Sequence, residues 1–325
     1  MKIKVLGAGV IGLTCAFVLL EGGHDVTVVY EDPPFNTTSA VATAIWHMYL
    51  VDPNDSRNLE WSQATLARLI AMANVGNETG VYLVRGVELF RRSEPSVPSW
   101  SSIPPMFSLL TTQQLADYPG ISWGYRIAAP LADMATYLGW LFRSVWSQGA
   151  RFTCQGIGQL DELYDECDVV VNATGLGARN LIGDEDLIGV RGQYLVLEKP
   201  NGVSDEYIGD DENPDGMTYV IPRKNDVLIG GTEEYGFEDL TFDCSVEHLV
   251  KRCSEFVPWL ASSASVAIRE RVVGIRPWRR SGVRLDTEEV AERSLSVIHC
   301  YGHGGSGFSM SWGCAETVAA LVAAM

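Results

Sequence analysis

The sequence predicts an α/β fold: a parallel sheet flanked by helices, joined to an α+β second domain on a mixed sheet. Three observations carry this prediction. The chain opens with strand, glycine loop, helix and strand in that order. From residue 296 a second strand runs into a second glycine loop and a second helix. Between them lie strands of two kinds, an apolar β-branched run at 167–175 and alternating strands at 191–200 and 218–232.

The opening unit is the most explicit. IKVL at 3–6 is a short apolar strand, and GAGVIG follows as Gly7, Ala8, Gly9, Val10, Ile11 and Gly12. Ile11, Leu13, Ala16, Phe17 and Leu20 then recur at helical spacing until Gly22–Gly23 stop the helix. DVTVVYE at 25–31 is the next strand, ending in Glu31. Each part has a physical reason. Gly7 permits the tight turn, Gly9 lets the backbone approach a pyrophosphate, and Gly12 lets helix and strand pack closely. The helix N-terminus presents free N–H groups and the positive end of its dipole to the phosphates. Glu31 can accept hydrogen bonds from a ribose diol. These residues predict a Rossmann-like dinucleotide site, but alone they do not separate FAD from NAD.

The remaining elements follow from periodicity and punctuation. Residues 60–74 and 134–148 are predicted as helices, the second ending at Gly149, and helical patterning returns at 245–257. The strand at 218–232 is predicted to fold as a hairpin turning at Lys224-Asn225-Asp226. The last helix is placed from about Trp312, after Gly302, Gly304, Gly305 and Gly307. Thr37, Thr38 and Ser39 could bind phosphates or cap a helix, and the residues by themselves favour the cap. Because the sheet strands interleave with the others, the domains are expected to be discontinuous. The cofactor domain takes 1–55, 142–190 and 270–325, and the substrate domain takes 56–141 and 191–269.

Composition narrows the function. With 325 residues, 46% of them hydrophobic, the chain can bury a large core. A formal net charge of −17 argues against a nucleic-acid partner. No apolar run reaches the roughly 18 residues of a membrane span. The basic, apolar N-terminus mimics a signal peptide, but its glycine spacing and helical periodicity read as structure. No peroxisomal tripeptide closes the sequence, and a cytoplasmic location is expected. Seven dispersed cysteines without a CxxC pair read as reduced thiols, and their spacing points to no metal site.

One stretch stands out against the acidic background: GIRPWRR at 274–280. Arg276 sits between Ile275 and Pro277, in an apolar and stiffened setting. A guanidinium there can grip a carboxylate with two parallel hydrogen bonds, or simply pair with one of the chain's own acids. Arg279 and Arg280 read as structural or solvated charges. Tyr219 reads as a strand aromatic. His47, His299 and His303 are not assigned a general-base role.

Taken together, GAGVIGL, TTSAVATAIWHMYLVDPND with EWSQ, VVVNATG, RGQ, TYVIP, GIRP and YGHGGSGFSMSWGCA occur in one order along the chain. In this the sequence resembles the D-amino-acid oxidases, the flavoenzyme family that also includes D-aspartate oxidase. The resemblance implies FAD as cofactor and oxidative deamination of D-amino acids. A hydride would pass to flavin N5, dioxygen would be the oxidant, and the products would be 2-oxo acid, ammonia and hydrogen peroxide. It implies that Arg276 and Tyr219 bind the substrate carboxylate and that the Gly305 carbonyl accepts from the amine. Ile45, His47, Tyr49 and Ile221 would line the side-chain pocket. Gly304, Ser306, Gly307, Phe308 and Ser309 would wrap the flavin, while Glu31, Asp32, Thr37, Thr38 and Ser39 would hold ribose and phosphates. Family members are often dimers.

The sequence departs from the family in two places. No tyrosine lies between Tyr207 and Tyr219, so the lid tyrosine of eukaryotic members is missing, and easier entrance and faster product exit are expected. Glu233 and Glu234 follow the GGT motif, where D-aspartate oxidases carry an arginine for the acidic side chain. Two carboxylates facing the pocket would repel such a substrate. Neutral D-amino acids are therefore expected, with basic ones as a further class. D-aspartate oxidase, glycine- or sarcosine-type amine oxidase and a non-catalytic flavin-binding redox sensor are the alternatives.

Overall fold

The computed structural model describes residues 1–92, 94–163, 166–261, 267–290 and 295–325. In chain order the elements are β1 (Lys2–Leu6), α1 (Val10–Glu21), β2 (Asp25–Tyr30), α2 (Ser56–Val75), β3 (Val81–Phe90), β4 (Phe107–Leu109) and α3 (Thr112–Leu115). Next come β5 (Trp123–Ala132), α4 (Met134–Ser147), β6 (Arg151–Cys154), β7 (Val169–Asn172), α5 (Ala178–Ile182) and β8 (Leu187–Glu198). The chain continues with β9 (Tyr207–Asp210), β10 (Thr218–Pro222), β11 (Asp226–Gly230), β12 (Glu234–Tyr235) and α6 (Val246–Ser254). It finishes with β13 (Ile268–Arg279), β14 (Arg284–Val290), β15 (Leu295–Tyr301) and α7 (Gly307–Ala323).

These elements form two compact units. The first comprises Met1–Tyr82, Leu131–Gly189 and Arg276–Met325. Its sheet runs β14-β15-β7-β1-β2-β6. β15, β7, β1, β2 and β6 are parallel, and β14 is an antiparallel edge. The inner strands are covered on both faces, so Val169, Val170 and Val171 are all fully buried and show no alternation. The parallel registers align Leu6 with Val29 and with Asn172, and Asn172 with His299. Three loops therefore leave the same carboxyl edge: Gly7–Gly9 after β1, Ala173–Gly175 after β7, and Gly302–Ser306 after β15. That edge is where open parallel sheets bind ligands.

The second unit comprises Leu83–Pro130 and Val190–Ile275. The second sheet runs β12-β8-β11-β10-β9-β3-β5-β4, with β13 also on β8. It is mixed: β3 pairs with β9 in parallel, whereas β9–β10, β10–β11, β11–β8 and β12–β8 are antiparallel. The hairpin at Lys224-Asn225-Asp226 is present, with Pro222 opposite Val227. α6 packs Leu249 and Cys253 against Leu195, Val220 and Ile229 of this sheet. Its first turn is capped by Ser245, whose hydroxyl accepts from His248 N at 3.2 Å. Thr218 pairs with Asp210, so residues 211–217 form a tight connection between β9 and β10.

Two expectations need correction. Residues 56–82 and 131–141 belong with the first unit, and Val190 and 270–275 with the second, against the boundaries read from the sequence. For the first of these segments the reason is α2, which lies directly on α7. A Cβ built on Gly313 would sit 2.4 Å from Trp61 Cα and O, so the two helices approach to backbone contact. Trp61 Nε1 donates to Thr317 Oγ1 at 2.9 Å, and Gly313 N donates to Thr65 Oγ1 at 3.0 Å. The last helix also starts earlier than Trp312, at Gly307, so its N-terminus opens inside the glycine loop.

Candidate functional site

The first glycine loop is built as its residues require. Gly7 has φ +107°, a conformation that L side chains rarely adopt, and a Cβ on it would lie 2.5 Å from Ala173 O. A Cβ on Gly12 would lie 2.0 Å from Gly7 O, so the first turn of α1 sits on the end of β1. Gly9 is the N-cap of α1 and offers no side chain to its free N–H groups. The loop fits a dinucleotide pyrophosphate: the backbone closes tightly and Gly9 places no side chain over the positive helix end. Ala8 and Val10 are buried behind it, and Ile11 packs partly against the core.

The cap reading of Thr37–Ser39 is overturned. Thr37 precedes a short 3₁₀ turn over Thr38–Val41 but makes no side-chain cap bond. Its hydroxyl instead donates to Pro34 O at 2.8 Å. Ser39 Oγ accepts from Val10 N at 3.0 Å and reaches the glycine loop from outside. Thr37 and Ser39 therefore stand beside Gly9 and the first turn of α1. Glu31 and Asp32 follow β2 directly, and both are exposed.

The second glycine loop meets residues 45–49, a pairing that local pattern does not reveal. Ser309 Oγ accepts from His47 N at 3.0 Å, and Ser306 Oγ accepts from Tyr49 N at 2.7 Å. Ser306 Oγ also donates to Tyr49 O at 2.9 Å, and Gly305 N donates to the same carbonyl at 3.2 Å. A Cβ on Gly305 would lie 2.3 Å from Tyr49 Cδ1. Ser306 is the N-cap residue of α7 but makes no side-chain cap bond there, because its hydroxyl is engaged with Tyr49. The segment is bracketed by two non-glycine residues at positive φ, Ala44 at 52° and Leu50 at 57°. Such strain, on the order of 1–2 kcal/mol per residue, clusters at functional sites. Phe308 turns its ring into the core, 5.6 Å from that of Tyr137, so its side chain does not wrap a cofactor.

Arg276 joins this group. The next residue, Pro277, accepts a hydrogen bond from Gly304 N at 2.8 Å, and Trp278 bridges to His303. The Arg276 guanidinium carbon lies 5.3 Å from the Tyr49 ring centroid. Ile45, His47 and Tyr49 are half-buried alongside. Arg279 is structural, as its neighbourhood suggested: Nε donates to Asp184 at 2.8 Å. Arg280 reaches the Glu185 carbonyl at 3.5 Å.

In the second unit, Tyr219 stands on β10 opposite Gly230. A Cβ on Gly230 or Gly231 would lie 2.8 Å from its hydroxyl, so the two glycines make room for the ring. Ile221 is two residues on, on the same face of the strand, and is buried. Glu234 does not present a free charge. It is paired with Arg191, and Gln193 Nε2 donates to its other oxygen at 2.9 Å. Arg191 also binds Asp239 at 2.9 Å and Asp243 at 3.0 Å. Glu233 is exposed. The expected repulsion of acidic substrates therefore gains nothing from Glu234.

His299 and His303 have structural partners. Asn172 Oδ1 accepts from Thr174 Oγ1 at 2.7 Å, which turns its amide nitrogen toward His299 Nδ1 at 3.3 Å. His299 Nε2 lies 3.1 Å from Glu288, and burial chiefly lowers the ring's pKa. His303 is buried beside Cys314, and burial pushes its pKa down to about 4.

Comparison with known proteins agrees with this geometry. The family model described as FAD dependent oxidoreductase matches residues 2–321. The chain is 39% identical to a D-amino-acid oxidase of Rubrobacter xylanophilus over 98% of this chain and 95% of that one. It is 34% identical to the D-aspartate oxidase of Homo sapiens, over 99% and 94% respectively. In fold it is similar to a glycine oxidase from Geobacillus kaustophilus, with a TM-score of 0.79 at 19% identity, covering 99% and 95% of the two chains. No helix among the described residues is long and apolar enough to cross a membrane. With the family match spanning almost the whole chain, the protein belongs to the FAD-dependent oxidoreductases of the D-amino-acid oxidase family.

Proposed function

We propose that the protein oxidises neutral D-amino acids, with basic ones as a further class, to 2-oxo acids, ammonia and hydrogen peroxide. One observation carries this reading. The strand bearing the candidate carboxylate anchor, Arg276, is hydrogen-bonded through Pro277 to Gly304 of the loop that opens α7. Anchor and loop thus hold a fixed spacing.

The first unit would hold FAD and the second would carry Tyr219 and Ile221. Arg276 grips the substrate carboxylate with its two-pronged fork of donors, assisted by the Tyr219 hydroxyl. The Gly305 carbonyl accepts from the amine. Two anchor points on the acid and one on the amine leave only one enantiomer with its Cα hydrogen correctly directed. Such positioning is worth several kcal/mol of the barrier. Bound FAD supplies the acceptor for that hydride and the route by which dioxygen becomes hydrogen peroxide. The N-terminus of α7, which no side chain caps, would offer positive potential to the negative charge of a reduced flavin. Gly7, Gly9 and Gly12 would close the loop on the pyrophosphate, with Val10, Ile11 and Ser39 at its side. Glu31 and Asp32 would accept from the ribose.

Relatives named for D-amino acids and for D-aspartate are both similar to this chain. Ile45 and Tyr49 of the first unit and Ile221 of the second are the proposed pocket residues, and their apolar surfaces suit uncharged side chains. The reactants are a small molecule and dioxygen, and we infer a cytoplasmic enzyme that can form a homodimer. The test is anaerobic bleaching of the flavin bands: D-alanine and D-valine should bleach them, and the L-enantiomers should not. A panel scored by peroxide release then ranks side chains, and D-aspartate as the best substrate would reverse the proposed preference. Bleaching by L-amino acids alone would sink the reading.

A further inference from the structure

We propose that Cys300, His303 and Cys314 form a binding site for a thiophilic divalent cation of the zinc class. Cys300 is the penultimate residue of β15, His303 lies in the loop that follows, and Cys314 is on α7. Their ligand atoms all lie within 4.8 Å of one another. Cys300 and Cys314 are fully buried and His303 is 3% exposed.

The donor set and spacing fit such an ion. Zinc holds thiolate sulfur at about 2.3 Å and imidazole nitrogen at about 2.0 Å in a tetrahedron, which sets neighbouring donors about 3.5 Å apart. His303 Nε2 and Cys314 Sγ are 3.5 Å apart. Two thiolates, one neutral imidazole and a divalent cation sum to zero charge. A buried pocket can hold that unit without a counter-ion, whereas it could not hold the thiolates alone. The ion would tie β15, the glycine loop and α7 together.

The spacing of these residues hid them from motif reading. They are brought together by a strand end, a glycine turn and two turns of helix rather than by a CxxC pair. Because the site is closed, the ion has to enter while the chain folds.

The test uses the whole flavoprotein, expressed without a metal-affinity tag in minimal medium supplemented with zinc or cobalt(II). Metal per chain is measured by mass spectrometry, and cobalt is read by its d–d absorption in the red, clear of the flavin bands. The expected result is about one ion per chain, with the intense bands of thiolate-bound tetrahedral cobalt. Cys314→Ser and Cys300→Ser should lose the ion, while Cys167→Ser should keep it. Wild-type protein that carries far less than one ion per chain and shows no red band overturns the proposal, whether or not the variants fold. Full metal content in Cys314→Ser and Cys300→Ser would overturn it equally, by placing the ion elsewhere.

Discussion

The Arg276 guanidinium lies over the face of Tyr49, 5.3 Å from the ring centroid, while the same ring packs against Gly305. One aromatic thus touches both the candidate carboxylate anchor and the backbone that would accept from the amine. Replacing Arg276 with Ala should raise the KM for D-amino acids steeply, by roughly 3–5 kcal/mol in kcat/KM if the pair with substrate is desolvated. Tyr49→Leu keeps bulk but removes the ring face, and should cost about 1 kcal/mol in kcat/KM, mostly in KM. Tyr49→Phe should keep the contact. Steady-state kinetics by peroxide release measure all three, and an Arg276→Ala enzyme with wild-type KM would remove Arg276 from the site.

The strained ends of residues 45–49 predict a trade between stability and activity. Ala44 and Leu50 hold positive φ without being glycine. Ala44→Gly should therefore stabilise the protein by about 0.5–1 kcal/mol, provided the added freedom of the unfolded chain does not cancel the relief. Its kcat should fall, because the segment carrying His47 and Tyr49 is less firmly set. Urea unfolding and steady-state rates on the same preparation decide it. Destabilisation with unchanged kcat would contradict the argument.

Gly12 gives a sharper test of the cofactor loop. A Cβ there would sit 2.0 Å from the Gly7 carbonyl oxygen, which is backbone and cannot swing aside. Gly12→Ala should yield protein with little bound flavin, read from the ratio of visible to ultraviolet absorption. Ser39→Ala removes only the bond to Val10 N and should weaken FAD binding by about 1 kcal/mol.

Asp184 links stability to pH. Burial raises its pKa, but the Tyr301 hydroxyl at 2.6 Å and the Arg279 guanidinium at 2.8 Å outweigh burial and hold it below the usual carboxylate value. A carboxyl depressed in the folded state contributes stability above its unfolded pKa of about 4 and loses it as pH falls through the lower folded value. Asp184→Asn should cost roughly 2 kcal/mol at neutral pH, and the gap to wild type should narrow below about pH 4. Denaturant titrations at the two pH values check the sign. A gap that widens in acid would refute it.

The two glycine loops were legible because each requirement is local. Gly7 needs its positive φ and Gly12 its missing side chain whatever surrounds them, and the β-branched run at Val169–Val171 needs cover on both faces. The meeting of Ser306 and Ser309 with residues 45–49 was not legible, since it joins positions about 260 apart through sheet order alone. The same holds for Asp184 under Arg279 and for Arg191 gathering Glu234, Asp239 and Asp243. Thr37–Ser39 misled for a related reason. Hydroxyls before a helical turn usually cap it, but here the closer unsatisfied donor is Val10 N on another element. The early start of α7 escaped notice because glycine at 307 reads as loop until its neighbours are seen to be helical.

The sheet order has a consequence for how the chain is made. β1 lies between β2 and β7, and β7 in turn needs β15 on its other side. α1 is buried along Val10, Leu13, Cys15, Ala16 and Leu19, in a core completed by Met310, Cys314 and Val318 of α7. A nascent polypeptide that has not yet released residues beyond 295 leaves this apolar rod uncovered on the ribosome, in need of a chaperone's shelter. Stalled chains ending before β15 should be cut readily within residues 10–21, and chains that include α7 should resist. The pyrophosphate cradle is thus written first and finished last.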